Sequence, residues 1–430
     1  MAGSTKFQSI KGTFDILPYA VRAEGSNLAT SAQWQHVENQ IRDVMRRFHV
    51  GEIRTPVLEP TPLIARGLGA LTDIVSKEMF AFERGDTHYV LRPEVTAPVM
   101  RSYLQHNLAQ QGGVQRLYYM GPCFRAERPQ KGRYRQFHQF GTEYIGSSDA
   151  RADAELIALM MAIYDAFGVE GMTLKLNSLG DAESRPRYKE ALQAYFAPYR
   201  NDLTATSQER LDSNPLRLLD TKVEHERKLL DDAPLLLDYI DDASRTHHEA
   251  VCGLLDDLGV RYELDPFLVR GLDYYTRTAF ELLGGKLGAQ NALAGGGRYD
   301  LLAQEVGSKQ PVPAVGFAAG FERLFITLQA EGYALPEATT PDVFLVALGD
   351  DAQRRVFALA QQLRADGVAV AFDLKGRSMK AQMREANRQN APFTAIIGQD
   401  ELAAGEAQVK RMATGEQEAV AFSALAAYVR

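Results

Sequence analysis

The 430-residue chain predicts two domains of mixed structure. The first is an α+β domain built on a mainly antiparallel sheet and interrupted by a helical insertion; the second is a small C-terminal α/β domain. Three observations carry this expectation. Residues 115–146 read as two strands joined by a charged loop. Strand patterns vanish between 181 and 260. From 342 onward, strand and helix patterns alternate.

In the first of these, QRLYYMGPCFRAERPQKGRYRQFHQFGTEYIG, Leu117–Phe124 is apolar and aromatic, as strands are. Arg133–Ile145 alternates. Side chains repeat every two residues along a strand, so Arg133, Phe137, Gln139, Gly141 and Glu143 are expected on one face. Glu127, Arg128, Pro129, Gln130, Lys131 and Gly132 fill the polar turn between the strands. A face carrying an arginine, an aromatic, an amide, a glycine and a carboxylate suits the floor under a polar ligand.

Ahead of this pair, Ala32–Phe48 has apolar residues at helical spacing. Glu52–Leu58, containing Pro56, reads as a strand, as do Phe80–Glu83 and His88–Leu91. Thr96 is placed to cap a helix over Ala97–Gln105. After the pair come a helix at Ala150–Phe167 and a strand at Met172–Leu176. Residues 181–260 read as a mainly helical insertion or as the outer layer of the same domain. Strands return at Tyr262–Leu264 and Tyr274–Leu283, with Leu287–Ala294 as a hairpin partner. GGGRYDLL at 295–302 reads as a glycine turn entering a helix. Val315–Ala318 and Gly320–Leu328 read as strand and helix. The expected domains are thus 1–180 with 261–332, the insertion 181–260, a linker 333–341, and 342–430. In the last, Asp342–Leu348, Val368–Phe372 and Thr394–Ile397 alternate with two helices, the pattern of a mainly parallel sheet.

Composition narrows the classes of function. Hydrophobic residues make up 45% and charged residues 24%, as in ordinary globular proteins. No apolar run approaches the ~20 residues that span a bilayer, so no membrane partner is expected. MAGSTKFQSIKG lacks the apolar core of a signal peptide. Cys123 and Cys252 stand far apart, with no zinc spacing and no disulfide framework, so a reducing cytoplasm is expected. A net charge of −7 argues against indiscriminate coating of nucleic acid but leaves room for a local basic groove.

The large domain offers arginines at 125, 133, 270 and 323, carboxylates at Glu94, Glu127 and Glu143, and aromatics at Phe137, Tyr274, Tyr275 and Tyr299. Arginine forks grip phosphates bidentately, so several of them near glycine-rich segments suggest a polyphosphate site. There is no GxxxxGK[ST] and no dinucleotide fingerprint. No metal-ligating set is identified.

These segments resemble those of histidyl-tRNA synthetases, which are class II aminoacyl-tRNA synthetases. KGTFDILP at 11–18 resembles the family's opening, although Lys11 stands where arginine is usual. The Pro56 segment resembles motif 1, GPCFRAERPQKGRYRQFHQFGTE at 121–143 motif 2, and GFAAGFERL at 316–324 motif 3. RGLDYYT at 270–276 and GGGRYD at 295–300 resemble the two histidine-specific segments. The resemblance implies a class II catalytic domain followed by an anticodon-binding domain. It implies histidine activation by ATP with Mg²⁺, transfer to the 3′ end of tRNA(His), and a cytoplasmic homodimer.

It also implies roles. Arg125 holds the α-phosphate and the attacking carboxylate, and Arg270 lies by the α-phosphate in place of one magnesium ion. Arg133 and Arg323 grip the outer phosphates. Phe137 stacks on adenine, and Glu127 reads its edge. Glu94, Thr96 and Gln139 hold the α-amino group of histidine. Glu143, Tyr274, Tyr275 and Tyr299 surround the side chain. Gln130, Lys131 and Arg133 meet the tRNA acceptor end, and Lys375, Arg377, Lys380, Arg384 and Arg388 form a run suited to tRNA phosphates or to a solvated helix face. Val95 departs from the smaller residue common there, and either narrows the pocket or points away. The alternative is a catalytically silent relative that serves as a regulatory subunit of ATP phosphoribosyltransferase.

Overall fold

The computed structural model describes residues 7–430 except 20–27, 70, 71, 73, 131, 220, 222, 270–273, 286–290 and 337–339. The chain forms two compact units, Met1–Pro336 and Glu337–Arg430. Arg270 and Lys131 lie outside the described residues, as does part of the expected strand Leu287–Ala294.

The strands of the first unit are β1 Gly51–Glu52, β2 Leu58–Pro60, β3 Phe80–Arg84, β4 Thr87–Leu91, β5 Gln115–Phe124, β6 Gln136–Ile145, β7 Met172–Ser178, β8 Glu263–Leu264, β9 Thr276–Gly284, β10 Ala292–Arg298 and β11 Ala314–Gly320. Eight of them form one sheet in the order β1-β5-β6-β11-β10-β9-β7-β8. The six inner strands pair antiparallel, and one short parallel strand closes each edge. β2, β4 and β3 make a separate three-stranded sheet.

Period-2 alternation divides the large sheet into two faces. Phe140 and Tyr144 of β6 pack with Trp34, Val37 and Ile41 of the helix Ser31–Arg47 and with Leu156 and Met160 of the helix Ala150–Asp165. Thr30 caps the first of these helices in a reciprocal capping box with Gln33. The opposite face of β6 carries Phe137, Gln139 and Glu143, and its neighbours Tyr274, Tyr275 and Tyr299 belong to a second core cluster. Residues 181–260 contribute the helices Ser184–Phe196, Ala205–Ser213, Glu224–Lys228 and Asp242–Asp257 and no strand among the described residues.

Four local expectations are corrected. The Glu52–Leu58 strand is two short strands in different sheets, because Ile53 N–H turns to Tyr118 O and Arg92 N–H to Val57 O. Arg133 is not on the second strand of the pair. That strand starts at Gln136, and Arg133 sits in the loop, bonded back to Gln130 in both directions. Thr96 is the first helical residue rather than the cap. The glycine run 295–297 is no turn. It lies inside β10, bonded to β9 and β11 on both edges, and glycine is needed because a Cβ on Gly296 would sit 2.2 Å from Gly316 O.

The second unit is a five-stranded sheet of β12 Val343–Ala347, β13 Val370–Phe372, β14 Phe393–Ile397, β15 Glu406–Arg411 and β16 Gln417–Ala421, ordered β13-β12-β14-β15-β16. The first three are parallel, but β15 and β16 run antiparallel, so the sheet is mixed rather than mainly parallel. The two added strands were missed because EAQVKR and QEAVA are short and mostly polar. Gln382, buried in the helix Met379–Arg388, holds that helix to β12 by donating to Ala347 O and accepting from Ala347 N.

Candidate active site

A cavity of about 250 Å³ opens on the polar face of the large sheet. Its buried end starts at the helix Thr96–Gln105. Val95 occupies the cap position and has no side chain to offer, so Glu94 takes over. Its carboxylate accepts from Thr96 N (2.7 Å) and Ala97 N (2.9 Å), satisfying two amides that helix geometry leaves free. The Thr96 hydroxyl is thereby released to donate to Glu143 Oε1 at 2.8 Å, and Tyr299 donates to the other Glu143 oxygen. Val95 itself points into the apolar core and does not line the cavity.

Glu143 needs the sheet to make room for it. It lies opposite Gly316 in the β6–β11 register, and a Cβ on Gly316 would sit 1.5 Å from its carboxylate oxygen. Burial pushes the Glu143 carboxyl up to about 8, against the bonds from Tyr299 and Thr96, which act to lower it. Burial likewise raises Glu94, partly offset by its amide bonds and the nearby Arg125 charge. Tyr274 packs tilted against Tyr275 and edge-on to Tyr299 at this end, with ring centroids 4.6 and 5.6 Å apart.

The other end is basic. Arg125, at the end of β5, donates from Nε to Pro93 O (3.1 Å) and lies over the Phe137 ring. Arg133 pairs with Glu127 at 2.9 Å. Arg323, in the first turn of the helix Phe321–Glu331, donates to Ala292 O. Its guanidinium is held below its ordinary value by burial and by the charges of Arg133 and Arg125. Glu322, beside it, is bonded to the His138 backbone and ring, which fixes the helix start against β6. Between the two ends, the buried Cys123 thiol donates to Gln139 Oε1 at 3.3 Å. Burial raises that thiol to about 12, so it keeps its proton.

The family model described as histidyl-tRNA synthetase matches residues 26–324, and that described as anticodon binding domain matches 342–430. The chain belongs to the histidyl-tRNA synthetase family.

The histidine–tRNA ligase of Chloroherpeton thalassium is 48% identical over 417 residues, covering 96% of this chain and 95% of that protein. That of Chlorobium phaeovibrioides is 44% identical over 99% of this chain and 98% of its own. The crystal structure of apo S. aureus histidyl-tRNA synthetase superposes with a TM-score of 0.81 at 38% identity, covering 99% of this chain and all of that one. A Bacillus halodurans structure described as an ATP phosphoribosyltransferase regulatory subunit/histidyl-tRNA synthetase shares the fold at 23% identity and a TM-score of 0.63. The regulatory reading is therefore not favoured.

In this synthetase the cavity brings together Glu94, Thr96, Arg125, Glu127, Arg133, Phe137, Gln139, Tyr274, Tyr275, Tyr299 and Arg323. Glu143 stands behind Tyr299 and Thr96 rather than on the wall. Gln130 is exposed in the loop. In the second unit Lys375, Lys380 and Arg384 are exposed. Arg377 is tied to Asp373 (2.5 Å) and Glu385 (3.5 Å), and Arg388 is tied to Glu385.

Sequence reasoning missed Arg298 and Tyr119. Arg298, fully buried next to Tyr299, is held by Asp153 (2.6 Å) and Asp300 (3.0 Å), while Asp153 also meets His247 (3.3 Å). Its signal was an arginine inside an otherwise apolar strand, hidden by the turn reading. Tyr119 is buried on β5 opposite Gly141, close enough to Glu143 to feel its charge. A tyrosine paired with a glycine across a hairpin was the available clue.

Proposed function

We propose that the two ends of the cavity divide the substrates of the family's reaction, histidine at the buried end and ATP at the basic end. As a member of this family, the enzyme activates L-histidine with ATP and charges tRNA(His). The single observation that carries the division is the contrast just described: a closed hydrogen-bonded network around Glu143, and three arginines that reach the other end of the same cavity from the end of β5, the loop after it and the helix after β11. In this reading Tyr274, Tyr275 and Tyr299 enclose the imidazole, backed by Glu143, and Glu94 and Thr96 receive the α-amino group. A buried polar pocket of this kind rejects side chains that leave its groups unpaired.

Gln139 can serve both polar groups of histidine. Its oxygen accepts from the Cys123 thiol with one of its two lone pairs, so it keeps one acceptor position for the α-amino group and offers the amide nitrogen as a donor to the carboxylate. Arg125 aligns that carboxylate with the α-phosphate. Arg133 and Arg323 take the outer phosphates, Phe137 stacks on adenine, and Glu127 reads its edge. Arg270 completes the α-phosphate site through the resemblance alone. Mg²⁺ enters as part of the ATP substrate, and Glu127 and Glu281 are the carboxylates beside Arg323.

A histidine carboxylate oxygen attacks the α-phosphorus, the bond to the β-phosphate breaks, and pyrophosphate leaves. The 3′-terminal hydroxyl of tRNA then attacks the acyl carbon and AMP leaves. Alignment and charge stabilisation by arginines supply the catalysis, with no protein nucleophile. The loop bearing Gln130, Lys131 and Arg133 meets the acceptor end, and the exposed Lys375, Lys380 and Arg384 offer the anticodon-side contacts. The full reading includes a cytoplasmic homodimer. No described helix is long and apolar enough to cross a membrane. ATP–pyrophosphate exchange tests the reading: exchange stimulated by histidine and by no other standard amino acid is expected, and exchange driven by another amino acid instead overturns it.

A further inference from the structure

The opening segment, Phe7–Pro18, takes no part in the reaction just described, yet it is bonded to the loop that carries the arginines. Gly12 O accepts from Arg135 N at 2.7 Å and from Gln136 N at 3.3 Å. Arg135 O in turn accepts from Arg125 N at 2.9 Å. A second contact runs from the Arg135 guanidinium to Lys11 O at 3.3 Å. The Phe14 ring stands edge-on to Tyr134 at 5.1 Å and lies 6.4 Å from His138, while Tyr134 lines the cavity. A turn formed by Thr13 and Ile10 fixes the segment's own shape.

Gly12 has a local reason to be glycine. Its φ is +89°, and a Cβ there would lie 2.6 Å from Pro129 Cγ and 3.1 Å from Arg135 Cγ. The segment therefore fits against both limbs of the loop, at Pro129 and at Arg135.

We propose that Phe7–Pro18 is a strap that positions the ATP end of the cavity, with Gly12 and Phe14 as positioning residues for Arg125 and Arg133. The strap reaches the arginines by one backbone route, Gly12 to Arg135 to Arg125, and one aromatic route, Phe14 to Tyr134. Neither route touches Glu94, Thr96, Glu143 or Tyr299, whose partners all come from elsewhere. Loosening the strap therefore weakens the hold on ATP and reaches histidine only through the carboxylate contact of Arg125, so the ATP KM moves more than the histidine KM. A residue that merely supports folding would lower both together.

The inference rests on the assignment of ATP to the arginine end. The test uses the full chain in histidine-dependent pyrophosphate exchange, with Gly12→Ala as the sharper variant and Phe14→Ala as the one that leaves the backbone undisturbed. The expected result is a KM for ATP raised roughly ten-fold, a KM for histidine within about two-fold, and a melting temperature close to that of the parent protein. Unchanged ATP KM in both variants, or ATP and histidine KM rising in parallel, overturns the strap. The parent protein separates the two ideas: if it shows exchange with histidine while the variants behave as the parent, the strap fails and the functional reading stands.

Discussion

At the end of the cavity proposed for histidine, Glu94, Thr96, Glu143 and Tyr299 are buried and satisfy one another. At the ATP end, Arg125, Arg133 and Arg323 are half-buried and crowd like charges together. At the first end these four residues hold one another without substrate, and any ligand must match donors and acceptors already fixed in place. The second end is only partly neutralised by Glu127 and Glu281, and a polyanion relieves the rest, because phosphate oxygens offset the repulsion among the guanidinium groups. Discrimination is thus concentrated where water is excluded, and attraction where charge still reaches solvent. Both ends lie on one sheet, so this difference comes from where their side chains are mounted and not from a change of fold: Glu143 on β6 and Tyr299 just after β10 at one end, Arg125 just after β5, Arg133 in the loop and Arg323 on the helix after β11 at the other.

The most severe way to break the contrast is Gly316→Ala. The added carbon would overlap the Glu143 carboxylate, which has no other space because Tyr299 and Thr96 hold it from both sides. Histidine-dependent exchange should fall by roughly three orders of magnitude, as when groups that act as a unit are displaced together. Equilibrium ATP binding should stay within a few-fold of the parent, since the ends share no side chain in these contacts. ATP affinity lost in step with histidine activity would show that the two ends are one unit.

Glu143→Gln probes the same end more gently, through pH. The buried carboxyl keeps its proton up to about 8, whereas in the unfolded chain it ionises near 4.5. Between those values the unfolded state has given up a proton that the folded state retains, so rising pH favours unfolding. The contribution is intact below the ordinary value and is lost as pH climbs through about 8. Removing the titratable group should flatten the fall in melting temperature between about pH 5 and pH 8 relative to the parent. Superimposable melting curves would remove the raised carboxyl from the account.

The sequence made the ATP end more legible than its partner. Arg125, Arg323 and Phe137 line the cavity as their positions suggest, because charged and aromatic residues beside glycines stand out in a single strand. Arg133 also lines the cavity, although the strand was extended too far back to include it. The histidine end depends on cross-strand register, which no one segment contains. The role of Gly316 follows only once Glu143 is seen opposite it, and Tyr119 matters only through its pairing with Gly141. The same blindness turned the GGG run into a turn and hid Arg298, whose partner Asp153 lies on a helix far away in sequence and meets His247 on another. Thr96 was misread for a different reason. Its residue type suits a cap, but Glu94 two residues earlier reaches the same amides and frees the hydroxyl for Glu143.

The smallest expected effect comes from the boundary between the ends. Gln139 stands there, with its amide held by the Cys123 thiol from below. Cys123→Ala removes that donor, and the amide can then turn and offer its oxygen to the substrate as readily as its nitrogen. A weak thiol bond at 3.3 Å limits the consequence, so the histidine KM should rise only about three-fold, within the range of a lost neutral hydrogen bond. Cys123→Ser, which keeps an O–H at nearly the same place, should restore most of the difference. The ATP KM is the control, because Gln139 is assigned to histidine and the phosphates to the arginines. If alanine and serine behave alike, the thiol only fills space. Gln139 is then oriented by its ligand, and the boundary is softer than either end.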